Sequence, residues 1–285
     1  MSTATATTTQ RRVVWTGAGM PATDGAGVKL NRVIGQPALP DLDPFLMLDE
    51  FGSDDPKAYI AGFPSHPHRG FETVTYMLAG RMRHRDNKGN EGVLAPGSVQ
   101  WMTAGRGIVH SEMPEQEEGL MQGFQLWVNL PAKDKLTDPR YQDIPPDQIP
   151  EVTLGEGVHA RVLAGTLAGV RGPVDTGATQ PFYFDLTLAA GASADIPLPA
   201  QHNAFAYVYD GRAAVGVEAQ ALAKGRIAVF SPGESVRLTA GDNGARLILV
   251  AGKPLREPVA KHGPFVMNTQ AELVQAFEDF RAGKF

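Results

Sequence analysis

Val28-Lys29-Leu30-Asn31-Arg32-Val33-Ile34 alternates apolar with polar positions, and a period of two marks a strand with one face turned to a core. The same alternation returns in short runs along most of the chain. Residues 13–48 read as a hairpin interrupted by the turn cluster Thr23-Asp24-Gly25-Ala26-Gly27. From Phe71 the strands are punctuated at Ala79-Gly80, Asn87-Lys88-Gly89-Asn90 and Pro96-Gly97, the series ends at Gly105, and residues 124–130 alternate again. Further runs cover 158–163, 182–188, 204–209, 213–217, 226–230, 235–238 and 246–251. Many short antiparallel strands at regular intervals predict an all-β sandwich or barrel architecture. The period changes near the end, where Thr269-Gln270-Ala271-Glu272 is a capping box and Leu273, Ala276, Phe277 and Phe280 fall at helical spacing before Gly283. That is a short amphipathic C-terminal helix.

The composition shifts after Pro131, through Lys133, Asp134 and Lys135 to Asp143-Ile144-Pro145-Pro146-Asp147-Gln148-Ile149-Pro150. Prolines and charges at this density predict a linker over 132–150, between a domain at 13–131 and a second at 151–285 that ends in the helix. The halves also repeat. Pro96-Gly97-Ser98-Val99-Gln100-Trp101-Met102-Thr103-Ala104-Gly105 aligns without a gap on Pro232-Gly233-Glu234-Ser235-Val236-Arg237-Leu238-Thr239-Ala240-Gly241, and Gly80-Arg81 on Gly211-Arg212. Two β-domains of one plan follow from this.

Composition narrows the function. A net charge of −5 and a pI near 5.8 give no surface for direct nucleic-acid or anionic-membrane binding. The cluster Arg81, Arg83, His84, Arg85 is followed at once by Asp86 and reads as a solvated hairpin. Residues 1–12 lack the apolar stretch of a signal peptide and read as a short tail, and no apolar run could span a bilayer, so a cytoplasmic location is expected. Cysteine is absent, so any metal must be held by nitrogen and oxygen.

His66 and His68 lie two apart around Pro67, which forbids a helix interior, and Val74-Thr75-Tyr76 continues as strand. Side chains at i and i+2 of a strand share a face, so both imidazoles can reach one ion. His110 and Glu112 form a second such pair. The alternative for any single histidine is a hydrogen-bonded core residue; the quartet together points to a metal. Counting from Gly80 and Gly211 places Pro197 and Pro199 at the positions of His66 and His68, and counting from Gly105 and Gly241 places Arg246 and Ile248 at those of His110 and Glu112. The second copy therefore lacks the ligands. Three imidazoles and one carboxylate suit a single first-row divalent ion with open positions, iron(II) fitting best, with manganese, nickel, copper and zinc left open. Glu72, four residues after His68, falls on the same face by parity. Asp49 and Glu50 read as carboxylates at a strand end, and His84, His159, His202 and His262 as surface or hydrogen-bonded residues. No Gly-x-Ser-x-Gly elbow or Walker-type phosphate loop is present.

Four segments carry a resemblance: His66-Pro67-His68-Arg69-Gly70-Phe71-Glu72-Thr73-Val74, Gln100 through His110, Leu126-Trp127-Val128-Asn129-Leu130, and Pro254 through Thr269 with His262-Gly263-Pro264-Phe265 at its centre. They closely resemble the pirin family over most of the chain. The resemblance implies a bicupin, two antiparallel β-barrel (jelly-roll) domains, with one metal, iron, in the N-terminal barrel. It carries the ligands onto His66, His68, His110 and Glu112 and leaves Glu72, the general cupin position, outside the ligand set. It implies two functions. One is a quercetin 2,3-dioxygenase activity that opens a flavonol ring with O2 and releases carbon monoxide, with Glu112 as base for the 3-hydroxyl and Met102, Met113 and Phe71 lining the cavity. The other is an iron-dependent, redox-responsive regulatory protein acting through a protein partner.

Overall fold

The alternating runs are strands in the computed structural model, which describes residues 9–285; the tail expected over 1–12 lies outside the described residues up to position 8. In chain order the strands are β1 (Val13–Ala18), β2 (Met20–Asp24), β3 (Val28–Ile34), β4 (Phe45–Ser53), β5 (Phe63–His68), β6 (Phe71–Ala79), β7 (Met82–Asp86), β8 (Glu91–Leu94), β9 (Val99–Thr103), β10 (Ile108–Pro114), β11 (Met121–Asn129) and β12 (Arg140–Ile144). Then follow β13 (Glu151–Gly155), β14 (Val158–Ala164), β15 (Thr166–Leu167), β16 (Val170–Arg171), β17 (Phe182–Leu188), β18 (Ser193–Pro197), β19 (Asn203–Val215), β20 (Gln220–Ala223), β21 (Arg226–Phe230), β22 (Ser235–Gly252), β23 (Ala260–His262) and β24 (Phe265–Met267). Helix α1 (Gln270–Arg281) closes the chain. Thr269 caps it, accepting from Glu272 N at 3.2 Å while its own N–H donates to Glu272 Oε2 at 2.8 Å, so the capping box is formed. Two pairs of expected short strands are fused: β19 covers 204–217 up to Val215, and β22 covers both 235–238 and 246–251. Gly211 is the reason in β19. It sits at φ +70° inside a bulge, where a Cβ would overlap the Gly244 carbonyl, so the chain kinks without turning back.

The chain divides into two compact units whose edges differ from the expected domains. One takes the described residues up to Ala18 with Pro150–Pro254, the other Gly19–Ile149 with Leu255–Phe285. Three expectations are corrected. Strand β1 pairs with β21 and so belongs to the later barrel. The C-terminal helix packs Leu273 and Ala276 with Phe265, Met267 and Phe285, within the earlier one. The expected linker is structure, because β12 pairs with β9 and Lys135 is 1% exposed. Its Nζ donates to Gly70 O at 2.7 Å, Asn129 Oδ1 at 2.6 Å and Val266 O at 3.1 Å, so a lysine that composition places in solvent is a buried clamp. The tail also ends earlier than expected. Arg11 is fully buried and donates to the carbonyls of Pro199, His202 and Ser231 at 2.7, 2.9 and 3.1 Å.

The repeat is real and its register is different. The large sheet of the first barrel runs β12-β9-β6-β11-β4-β3-β2, and that of the second β1-β21-β19-β22-β17-β14-β13, strand for strand the same. The smaller sheet β5-β10-β7-β8 matches β18, the start of β22, the end of β19, and β20. The counterpart of β9 is therefore β21, not the start of β22; the ungapped match joined two strands from different places in the sheets that share a Pro-Gly entry and a Thr-Ala-Gly end. His110 opposes His66 and Asp86 as Leu238 opposes Ala194 and Val215, and Glu112 opposes His84 as Ala240 opposes Ala213. Ile108 opposes His68 as Val236 opposes Ile196. The four positions are thus Ala194, Ile196, Leu238 and Ala240, not Pro197, Pro199, Arg246 and Ile248. Ile196, Leu238 and Ala240 sit in one continuous apolar core with Phe184, Leu247 and Leu249, and Ala194 packs against it. Two domains of one plan thus have opposite interiors. The second barrel is filled, whereas the first breaks into smaller apolar clusters around a cavity. Among the described residues no helix is long and apolar enough to cross a membrane.

Candidate metal centre

Strands β5 and β10 run antiparallel, His66 opposite His110 and His68 opposite Ile108. Directly paired residues share a face, and His68 returns to it two positions on. The His66 and His68 Nε2 atoms are 2.9 Å apart, and ring centroids lie 4.5 Å apart for His66 and His110 and 5.0 Å for His68 and His110. One nitrogen from each of the three falls within 4.8 Å of the others.

Burial favours the neutral form of His68 and His110. Burial, then His110 and His66, pushes His68 well below its usual value against an opposing contribution from the Pro264 carbonyl. Burial, then His66 and His84, lowers His110 to about 3. His66 Nδ1 lies 2.9 Å from Pro64 O, which fixes a proton there and leaves the Nε2 lone pair directed at His68. Both nitrogens of His110 are buried without a hydrogen-bond partner among the described residues. Converging, unprotonated and unsatisfied nitrogens are costly unless something accepts their lone pairs. The donor set therefore fits one borderline divalent cation and does not fit a hard, oxygen-seeking one.

Glu112 stands beside this group and outside its 4.8 Å circle. It is 4% exposed and lines a cavity of about 760 Å³ together with His66 and His68. Its Oε1 lies 3.1 Å from Thr75 Oγ1 and 3.5 Å from Gln125 Nε2, and its Oε2 has no partner among the described residues. Thr75 Oγ1 is also 2.7 Å from Gln125 Oε1. With one proton and two lone pairs, that hydroxyl can donate to the Glu112 carboxylate or accept from its acid form.

Several expected neighbours are elsewhere. Glu72 is on the opposite face of the sheet from Thr75, receiving the Thr103 hydroxyl at 2.7 Å; burial raises its carboxyl, with Thr103 and Trp101 opposing. Parity fails because β5 stops at His68 and Gly70, at φ +88°, redirects the chain before β6. Met102, Met113 and Phe71 do not line the cavity; Phe51, Phe63, Met47, Met82 and Trp127 do. Phe71 and Trp127 instead flank His68, with centroids 5.2 and 5.3 Å away. His84 is buried rather than in a solvated hairpin, stacked on Tyr141 and 3.4 Å from Asp143. Asp49 is mid-strand and buried, gripped by Arg32 through Nε at 2.9 Å and Nη2 at 2.7 Å. His262 lines the cavity at the end of β23, while His159 stays exposed beside Thr153. His202 is buried in the other unit, where burial, then Arg11 and Lys253, lowers it to about 4. Sequence reasoning missed Arg32, Thr75, Gln125 and Trp127. Their only signal is that buried strands carry polar residues, which one chain cannot convert into a shared site.

Residues 27–128 match the Pirin family and residues 183–285 match the Pirin C-terminal cupin domain. A Pseudomonas aeruginosa protein whose name gives a provisional assignment as a quercetin 2,3-dioxygenase is 53% identical, across 93% of this chain and 94% of its own length. The Caulobacter vibrioides pirin-like protein is 51% identical across 94% and 96%. The crystal structure of quercetin 2,3-dioxygenase from Acinetobacter baumannii superposes with a TM-score of 0.89 at 33% identity, covering 96% of this chain and 98% of that one.

Proposed function

Because the chain belongs to the pirin family, we propose that its first barrel is a metal-dependent dioxygenase that opens the ring of a flavonol such as quercetin. The observation that carries this is a substrate-sized cavity lined by His66, His68 and Glu112, with His110 completing the three converging imidazoles. His66, His68, His110 and Glu112 hold one divalent ion, iron(II) by preference for nitrogen and oxygen sites with open positions. When bound, the ion supplies an electrophilic centre for the 3-hydroxyl oxygen of the flavonol and for O2.

The protein's own groups do the rest. Glu112 takes the 3-hydroxyl proton on its free Oε2, while Thr75 and Gln125 hold Oε1 and so fix the carboxylate plane. With the proton on Oε2, Oε1 goes on accepting from Thr75 and Gln125, so the acid form keeps both partners of that oxygen. Trp127, Phe63 and Met47 give the flat ring an apolar wall and exclude water from the opened ring.

The test is oxygen uptake with quercetin by protein stripped of metal and reloaded anaerobically with iron(II), beside His68→Ala. Uptake with carbon monoxide release, lost in the variant, is expected. A protein holding one iron that consumes no oxygen would sink the proposal and favour the redox-responsive regulator.

A further inference from the structure

Arg32 places an immobilised cation on the wall of the cavity that holds the histidines. Its Nε donates to Asp49 Oδ1 at 2.9 Å, and its Nη2 to Asp49 Oδ2 at 2.7 Å and to Asp24 Oδ2 at 2.9 Å. These bonds use three of the five guanidinium N–H groups and leave both on Nη1 without a partner among the described residues. Arg32 opposes Asp49, Asp49 opposes Gln125, and Gln125 opposes Thr75, so four paired residues on four adjacent strands share one face. Three strand spacings of about 4.8 Å put Arg32 roughly 14 Å from Thr75 along the sheet. Met47 and Trp127 cover the same cavity with apolar surface.

We infer that Arg32 is a specificity-determining residue that receives a second, uncharged hydroxyl of the substrate, at the far end of the molecule from the oxygen held beside Glu112. The charge of the subsite selects the class. One guanidinium against the carboxylates of Asp24 and Asp49 leaves the cluster at −1, so a carboxylate or sulfate is repelled. Lys261, also on the cavity, does not change this, since Asp41 lies 3.9 Å from its Nζ. A phenolic hydroxyl suits both halves of the cluster, accepting from Nη1 and able to donate to half-exposed Asp24. The substrate class is thus a flat polyphenol with hydroxyls at both ends, which deepens the flavonol reading and rests on it.

The experiment is equilibrium binding, followed by flavonol absorbance, to oxygen-free protein loaded with zinc(II). The probes are quercetin, hydroxylated at both ends, and 3-hydroxyflavone, which keeps only the metal-facing hydroxyl. Wild-type protein is expected to prefer quercetin by about tenfold or more, against the order of apolarity. Arg32→Lys keeps a charge opposite Asp49 but lacks the fork, and should reduce that preference to within about threefold. The double variant Arg32→Met/Asp49→Leu removes the pair together, leaves no buried carboxylate alone, and should do the same. A preference unchanged in both variants, or absent in wild type while both flavonols bind, overturns the subsite and leaves the flavonol reading standing. Binding of neither probe overturns both.

Discussion

Replacing Lys135 by methionine keeps the length of the side chain and removes the donor. The ammonium spends its three protons on Gly70 O, Asn129 Oδ1 and Val266 O, and nothing else reaches those acceptors from Met. Each oxygen left buried without a donor costs about 1–3 kcal/mol. Against this, the variant is relieved of holding a charge in the interior. Burial lowers Lys135 from 10.5 to about 8, with Glu257 and Glu272 opposing, which is a penalty of up to about 3 kcal/mol on the charged form. The balance at pH 7 is a loss of about 3 kcal/mol. Urea unfolding followed by tryptophan fluorescence on metal-free protein reads it, and only the transition of the unit formed by Gly19–Ile149 and Leu255–Phe285 should move, because all four residues lie in that unit. The pH dependence has a definite sign. Between pH 8 and 10.5 the folded protein sheds the proton while the unfolded chain keeps it, so stability rises with pH relative to Lys135→Met. A loss below about 1 kcal/mol at pH 7, or a gap that narrows over that window, would refute the reasoning.

Other consequences are as direct. Metal at a hundredfold excess over its dissociation constant should stabilise the first barrel by about 2.7 kcal/mol, and chelator should remove the gain; His68→Ala should show neither effect in a thermal melt. Gly70→Ala forces a left-handed backbone on a residue with a Cβ and overlaps it with the Val266 carbonyl, so a loss above about 2 kcal/mol is expected, together with weaker metal binding two residues away at His68. His202, lowered from 6.5 to about 4 by burial, contributes stability that is complete above pH 6.5 and lost as pH falls through 4. His202→Gln should flatten that part of the acid limb of the second unit's unfolding, and an unchanged slope would contradict it.

The candidate ligands were legible because chemistry and spacing coincide: His-x-His and His-x-Glu each declare a strand face by themselves. What joins them is the pairing of β5 with β10, which no local pattern announces. The row from Arg32 to Thr75 was illegible for the same reason, since its members are neighbours only across ladders. Composition misread Lys135 and His84, both charged-looking and both buried, because tertiary hydrogen bonds and ring stacking overrode the polarity of their surroundings. Parity misread Glu72, since it holds only while a strand continues, and Gly70 ends that continuity. The fold class was plain from alternation, whereas the domain edges were not. A strand's residues show that it pairs and do not show with which barrel.

The equivalence of β1 and β12 carries a consequence of its own. If each repeat is counted from its leading strand, β1 to β11 and β12 to β22, then each lends that strand to the other: β1 joins β21, and β12 joins β9. This is a reciprocal domain swap closed within one polypeptide. A gene cut between the repeats would give two fragments, each carrying a strand it cannot use and an open sheet edge that invites aggregation. Mixed together, the fragments should recombine, since each holds what the other lacks. Synthesis meets the same dependence, because Val13 is made long before its partner Phe230 and must wait for it. The filled barrel can close only after β2 to β12 of the other unit have been translated, while that unit still waits for Leu255–Phe285.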